Sequence, residues 1–105
     1  MIELGTNLYI RHAIGSRLLL DCKPLQLPFN ISHDGESNQW RISIGNIEKE
    51  IVDRLVLNEK SLNIFFQDVD GRKDWYYASH SPQLTYHKKD RTLTIVVDSK
   101  MSYQT

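Results

Sequence analysis

The feature that most constrains the fold is a train of short alternating segments separated by turn residues, densest between positions 54 and 98. Short strand-like runs divided by tight-turn residues are typical of consecutive β-hairpins. We therefore predict a mainly β fold, a compact antiparallel β-sandwich or small barrel of about eight or nine hairpin-connected strands. The densest segments are Arg54–Asn58, Leu62–Gln67, Asp74–Ser79, Thr85–His87 and Thr92–Val97.

Period-two alternation within the segments predicts which side chains face the core. The residues between them are mostly polar, which indicates sheets with one face open to water. The predicted inward residues are Leu8, Ile10, Ile14, Leu18, Leu20, Cys22, Phe29, Ile31, Trp40, Ile42, Ile44, Leu55, Leu57, Leu62, Ile64, Phe66, Trp75, Tyr77, Leu84, Tyr86, Leu93, Ile95 and Val97.

The stretch 46–54 fits both a short helix and a strand. Ile47, Ile51 and Leu55 recur at every fourth position, which favours a helix, whereas the strand-like pattern resumes at Arg54. The sequence does not decide between a helix and a strand for this stretch. The segment 99–105 is expected to fray as a chain end.

Composition predicts a single β domain spanning residues 1–105. The net charge is zero, which argues against broad nucleic-acid binding. Cys22 is the single cysteine, so no intrachain disulfide can form. The first residues carry neither a basic leader nor an apolar run typical of a secretory signal. Together these features predict a cytoplasmic protein with no membrane partner.

The residues that commonly carry catalysis or bind metals lack the required patterns. Cys22 alternates with apolar neighbours, so we expect an inward-facing, inert thiol. The segment Asp68–Asp74 has three carboxylates, but an EF-hand loop needs a glutamate at its twelfth position, where this chain has Ser79. The histidines show no zinc-site spacing. We predict no catalytic residue, no metal, no cofactor and no enzymatic activity.

Asn30–Gly35 reads N-x-S-x-x-G, which is similar to the second half of the cyclic-dinucleotide signature of PilZ domains. Those domains are small β-barrels, and the resemblance implies a ligand held in a barrel mouth. The family also uses an R-x-x-x-R pair upstream, whereas Arg11 and Arg17 here are six positions apart. The similarity covers six residues, and the sequence assigns the chain to no family.

An exposed strand edge with aromatic anchors is the main candidate for a functional surface. A free edge offers unpaired backbone groups to a partner strand, and we predict Tyr9, Phe65 and Tyr76 as anchors. Phe65 is out of phase with its apolar neighbours, so its ring faces outward or into a second layer. Charged rims at Glu48–Asp53 and Arg72–Arg91 would set orientation and on-rate.

These features predict a non-enzymatic protein–protein binding module that acts by occupying a surface. A small intracellular inhibitor, adaptor or immunity-type protein, of the kind encoded by phages and mobile elements, fits this prediction. The identity of the partner protein and the presence of a homo-oligomer stay open.

Single-stranded nucleic acid is the alternative partner. In that case Tyr76 would stack on bases while Lys88, Lys89 and Arg91 contact phosphates. For a protein partner, the predicted contact residues include the same three cations and Arg72. The neutral net charge ranks this alternative below a protein partner.

Overall fold

A computed structural model of the chain describes residues 6–104. Positions 1–5 and 105, which the single-domain and leader predictions include, lie outside the described residues. Two helices, α1 (Cys22–Leu25) and α2 (Lys49–Leu57), and a 3-10 turn at Glu59–Ser61 interrupt the strands. The strands are β1 (Asn7–His12), β2 (Leu18–Asp21), β3 (Phe29–Asp34), β4 (Gln39–Ile44), β5 (Leu62–Gln67), β6 (Arg72–Tyr77), β7 (Gln83–His87), β8 (Thr92–Val97) and β9 (Ser99–Gln104).

The strands form two antiparallel sheets. The five-stranded sheet has the order β2-β1-β5-β6-β9, and the four-stranded sheet has the order β3-β4-β8-β7. Only Asp98 separates β8 from β9, so the chain passes from one sheet to the other at this residue. The predicted fold class is confirmed as a mainly β, sandwich-like antiparallel fold.

The core lies between the sheets, where alternate side chains of both inner faces meet. Burying each such aliphatic side chain contributes about 1.5–3 kcal/mol to folding. Partial burial against this core is found for Phe29, Ile31, Trp40, Phe66, Leu84 and Tyr86. The inward prediction is confirmed by burial of Leu8, Ile10, Leu20, Cys22, Ile42, Ile44, Leu55, Leu62, Ile64, Leu93, Ile95 and Val97.

The stretch 46–54, for which the sequence allowed both a helix and a strand, leads into helix α2. The predicted strand Arg54–Asn58 is therefore wrong. The helical period places Val52 and Leu55, three positions apart, on the buried side of α2, and Leu57 is 84% exposed. The helix ends at Asn58, whose side-chain amide donates to the carbonyl of Arg54 at 2.8 Å. The apolar residues of this segment therefore follow the period of a helix and not the period-two alternation of a strand.

Two predicted inward residues near β2 are exposed, Ile14 by 78% and Leu18 by 44%. Ile14 lies in the turn between β1 and β2 rather than in a strand. A β-bulge shifts the β1–β2 register, because Ile10 pairs with Leu20 whereas Arg11 pairs with Leu18. The extra residue, Leu19, is buried beside Leu20, so strict alternation fails here.

The inward phase predicted for β6 is also wrong. Ile64 pairs with Tyr76, and Phe65 pairs with Trp75. Antiparallel partners share a face, so Tyr76 follows the buried Ile64 inward while Trp75 and Tyr77 face outward. The predicted fraying of 99–105 is wrong through residue 104, because β9 pairs with β6 over its whole length.

Candidate functional site

A row of large side chains crosses the outward face of the five-stranded sheet. Tyr9 pairs with Phe65, Phe65 with Trp75, and Trp75 with Met101. Side chains of directly paired residues lie about 4.5–5.5 Å apart at Cβ, so the row is continuous across four strands. The row and its neighbours on this face, here called the outer aromatic face, comprise Tyr9, Phe65, Trp75, Tyr77, Met101 and Tyr103.

Ring contacts order the outer aromatic face. Tyr9 and Phe65 stack with centroids 5.3 Å apart, and Trp75 and Tyr77 lie 4.4 Å apart. The indole Nε1–H of Trp75 donates to Oδ1 of Asn63 at 3.1 Å, so the polar edge of this ring is satisfied within the sheet. The rings are therefore held in place before any partner binds.

Two cations lie over these rings. The Arg11 guanidinium is 5.6 Å from the Tyr9 ring centre. The Lys73 ammonium is 5.8 Å from the Tyr9 ring and 5.7 Å from the Phe65 ring. All three distances lie within the roughly 6 Å range of a cation–π contact. The outer aromatic face therefore combines apolar area with positive charge.

The row ends at β9, which is an edge strand of the five-stranded sheet within residues 6–104. Met101 is 50% exposed and Tyr103 is 40% exposed on this strand. By contrast, the exposed side chains of the edge strands β3 and β7 are polar, and the remaining edge strand, β2, has only four residues. Among the edges in the described part of the chain, β9 joins exposed apolar side chains to a full-length strand.

Of the three predicted anchors, the structure brings two together. Tyr9 and Phe65 are stacked neighbours on the outer aromatic face. The expectation that Tyr76 is a surface anchor is wrong, because this residue is only 4% exposed and faces the opposite side of the sheet. The exposed end of the row is formed instead by Met101 and Tyr103, which were not predicted from the sequence.

The predicted charged residues do not converge on one surface. Lys88, Lys89 and Arg91 lie in the exposed turn between β7 and β8, in the four-stranded sheet. Tyr76 belongs to the other sheet, so the predicted nucleic-acid surface loses its stacking ring. The acidic rim Glu48–Asp53 forms the start of α2, where Lys49 and Asp53 pair at 3.0 Å.

A second candidate site is an open cleft between the sheets, with a volume of about 520 Å³. The strands β3 and β4 form one wall, and inward side chains of β5, β6 and β9 form the other. Its apolar lining includes Ile31 and four rings arranged as two edge-on pairs: Phe29 with Phe66, and Trp40 with Tyr76. The four-stranded and five-stranded sheets each contribute one ring to each pair.

Asp74 is a buried charged residue in the lining of this inter-sheet cleft, and it is 2% exposed. Its Oδ1 lies 3.5 Å from Nε of Arg72 and its Oδ2 lies 3.8 Å from Nζ of Lys100. The Oδ1 contact is close enough for an ion pair, but no hydrogen bond reaches this oxygen. An unsatisfied buried acceptor costs about 1–3 kcal/mol, so Asp74 carries unused hydrogen-bonding capacity.

The two cations around Asp74, Arg72 and Lys100, also contact other groups. The predicted contact residue Arg72 also donates through Nη2 to Oδ2 of Asp68 at 3.0 Å. Lys100 lies 5.9 Å from the ring centre of Tyr76. Burial, reinforced by the negative charge of Asp74, raises the pKa of Tyr76 to about 12, so the phenol stays protonated at neutral pH.

The residues of the N-x-S-x-x-G segment and the two upstream arginines lie apart. Asn30 and Ser32 line the inter-sheet cleft. The Arg11 guanidinium lies over Tyr9 on the opposite side of the five-stranded sheet, and Arg17 lies near His12 beyond the end of β1. The arginine clamp suggested by the PilZ resemblance is therefore not assembled.

Cys22 has the character predicted for it. The residue is 1% exposed, and burial, together with the negative charge of Asp21, raises the pKa of its thiol to about 12. The thiol is therefore a poor nucleophile at neutral pH. Within residues 6–104, no group of three or more His, Cys, Asp or Glu side chains is arranged to hold a metal ion.

The carboxylates of the β5–β6 turn are used locally. Asp68 pairs with the Arg72 side chain, and Oδ1 of Asp70 accepts from the backbone N–H of Arg72 at 3.0 Å. These contacts close the hairpin around Gly71, which has a φ of 90°. The segment is thus a structured turn.

Comparisons with protein-family models, with curated proteins and with solved structures find no match to this chain. No helix in the described part of the chain is both long and apolar enough to span a bilayer.

Proposed function

We propose that this protein is a non-enzymatic protein-binding module that docks its partner on the outer aromatic face and the free edge of β9. The observation that carries the proposal is the in-register row from Tyr9 to Met101, which ends at an edge strand with exposed apolar side chains. A strand added to β9 would extend both the hydrogen-bonded ladder and the row.

The composition of the face supports a protein partner. Aromatic residues, methionine and arginine are enriched in protein interfaces, and the fixed rings lose little conformational entropy on binding. Lys73 and Arg11 add positive charge among the rings. We therefore expect an extended partner segment beside β9 with apolar side chains at alternate positions. An acidic group on the part of the partner that covers the rings would pair with Lys73.

The role that fits this surface is a small inhibitor or adaptor that acts by occupying part of another protein. The proposed compartment is the cytoplasm, with the free thiol of Cys22 as its support. A second copy of the chain could supply the added strand, so the experiment below distinguishes self-association from a different partner.

The test is affinity capture from lysate of the source organism, with nuclease present and absent. Wild-type protein is compared with the double variant Met101→Lys/Tyr103→Ser, which removes the exposed apolar end of the row. The matched control is Leu57→Lys, which changes an equally large exposed apolar side chain at the end of α2. A basic residue suits the C-terminal turn of a helix, so the control should fold normally.

The proposal expects a stoichiometric protein that survives nuclease, is retained by the control and is lost from the double variant. Light scattering of the purified protein then tells whether self-association occurs and whether the double variant abolishes it. Equal capture by the double variant and wild type would exclude this docking surface. Recovery that disappears with nuclease would move the function to nucleic-acid binding.

A further inference from the structure

We infer that the inter-sheet cleft binds a small zwitterionic molecule carrying an aromatic ring, namely a free aromatic α-amino acid. The inference goes beyond the proposed function and does not depend on it, because the cleft and the outer aromatic face lie on opposite sides of the five-stranded sheet. It rests on three features of the cleft: an unsatisfied buried carboxylate, two flanking cations and a wall of rings.

The first feature is Asp74. The side chain is 3% exposed and lines the cleft, and no hydrogen bond reaches Oδ1. A buried carboxylate oxygen without a hydrogen-bond donor is rare in folded proteins, since its neighbours usually satisfy it. A ligand ammonium group would supply up to three N–H donors at this point.

The second feature is the pair of cations next to Asp74. The side chains of Arg72 and Lys100 are 45% and 31% exposed, so neither is sealed into its contact with the carboxylate. Arginine has five N–H donors and lysine has three, which leaves donors to spare for an incoming anion. Each of the two cations lies within 4 Å of the Asp74 carboxylate. A ligand must therefore carry its positive and negative groups close together, as the ammonium and carboxylate of an α-amino acid do.

The third feature is the apolar wall. Phe66 precedes the turn that leads to Asp74 and is its direct cross-strand partner, so a ring stands beside the buried carboxylate. Phe29 packs edge-on against Phe66, and Trp40 packs edge-on against Tyr76. Edge-to-face and offset contacts with such rings favour an aromatic side chain on the ligand. The cleft volume of about 520 Å³ also lies in the range of small-molecule sites.

The experiment is a titration of the full chain with L-phenylalanine, followed by the two tryptophan indole signals in a ¹⁵N–¹H NMR spectrum. Trp40 lines the cleft, whereas Trp75 lies on the outer aromatic face, so the second signal is an internal control. We expect a saturable shift of the Trp40 signal and a constant Trp75 signal. A Trp75→Phe variant assigns the two signals.

Three truncated probes test each part of the inference on the wild-type protein. Phenethylamine lacks the carboxylate, 3-phenylpropionate lacks the ammonium and L-alanine lacks the ring. Each should bind at least about tenfold more weakly than L-phenylalanine. Binding of either singly charged probe as tightly as L-phenylalanine would overturn the zwitterion assignment. Absence of a saturable Trp40 shift with phenylalanine, tyrosine and tryptophan up to about 10 mM would overturn the site itself.

A pair of variants then locates the ammonium contact. Asp74→Asn removes the cleft carboxylate and should weaken L-phenylalanine binding at least about tenfold. Asp53→Asn removes an exposed carboxylate on α2 whose partner, Lys49, also lies outside the cleft lining, and it should leave the affinity unchanged. Equal affinity of Asp74→Asn and wild type would overturn the role given to Asp74, and the truncated probes decide the question where the variant does not fold.

Discussion

The rings of Tyr9 and Phe65 stack on the outward face of the five-stranded sheet, with centroids 5.3 Å apart and an interplanar angle of 25°. They are direct cross-strand partners on β1 and β5, so the strand register itself brings them together. The Lys73 ammonium lies within 6 Å of both ring centres. The same pair therefore contributes to the fold and presents apolar surface to a partner.

The stacked pair should show a measurable coupling energy. In a double-mutant cycle of Tyr9→Ala and Phe65→Ala, we expect a coupling of about 0.5–1.5 kcal/mol in the free energy of unfolding. The measurement is urea denaturation of the four proteins. As a control, Tyr9→Ala combined with Tyr86→Ala should be additive within about 0.5 kcal/mol, because Tyr86 lies on β7 in the other sheet. Additivity for Tyr9 and Phe65 as well would contradict a stabilising stack.

Two leucines two positions apart test the helix in the stretch that the sequence left open. Leu55 is fully buried in α2, and Leu57 is 84% exposed. Leu55→Ala should lower the free energy of unfolding by about 2–5 kcal/mol through lost burial and a residual cavity. Leu57→Ala should change it by less than about 0.5 kcal/mol. A strand would place both leucines on one face, so similar losses for the two variants would contradict the helix.

The predictable part of the fold follows from period-two alternation where each strand is regular. Leu93, Ile95 and Val97 alternate cleanly, and the structure buries all three. The errors arise where a local feature breaks the period: the bulge that buries Leu19 beside Leu20, and the helix that turns Leu57 outward. Both features depend on the register and packing of neighbouring elements, which no single segment specifies.

The candidate sites were less predictable for a related reason. The side chains of β6 alternate between two faces of the sheet. One face carries the aromatic residues Trp75 and Tyr77, and the other carries Asp74 and Tyr76. Hydropathy favours the first as the inward phase, but pairing with Ile64 selects the second. A buried aspartate is thus invisible to a pattern that expects polar residues outside. Met101 and Tyr103 alternate with polar residues, which is a strand pattern. It was not used to predict β9 because the segment 99–105 was expected to fray.

Replacing Asp74 with a similar-sized apolar residue should stabilise the protein. The carboxylate is buried, its Oδ1 accepts no hydrogen bond, and its cations stand 3.5 and 3.8 Å away. Replacing a whole buried ion pair by apolar side chains is often neutral or stabilising, and removing one partner is costly only where the other charge stays buried. Here the side chains of Arg72 and Lys100 are 45% and 31% exposed, so both cations can turn to water. We expect Asp74→Leu to raise the free energy of unfolding by about 1 kcal/mol in urea denaturation, because Arg72 and Lys100 stay partly hydrated.

Asp74→Leu should also lose L-phenylalanine binding. A variant that is more stable but no longer binds would show that Asp74 lowers stability in order to bind the ligand. The matched control is Asp68→Leu, which removes a hydrogen-bonded carboxylate of the β5–β6 turn and should be destabilising. If Asp74→Leu instead cost more than about 2 kcal/mol, the ion pairs of Asp74 would be structural and the case for a ligand there would weaken.

Tyr76 should make stability fall at alkaline pH. Burial, and then the nearby Asp74 carboxylate, raise the pKa of its phenol from 10.0 to about 12 in the folded protein. Below pH 10 the phenol is protonated in both states, so its contribution to stability is fully present. Between about pH 10 and pH 12 the unfolded chain releases the proton while the folded protein retains it, so the free energy of unfolding decreases through this window.

The measurement is the difference in unfolding free energy between wild type and Tyr76→Phe as a function of pH. Phenylalanine keeps the ring that packs against Trp40 but cannot ionise, so the difference isolates the phenol from the other titrating groups. Wild type should lose stability relative to Tyr76→Phe above pH 10, and near-ultraviolet titration should find one tyrosine ionising later than the rest. A difference that stays constant from pH 9 to 12 would mean that Tyr76 is hydrated in solution, and that the inter-sheet cleft is more open than its packing indicates.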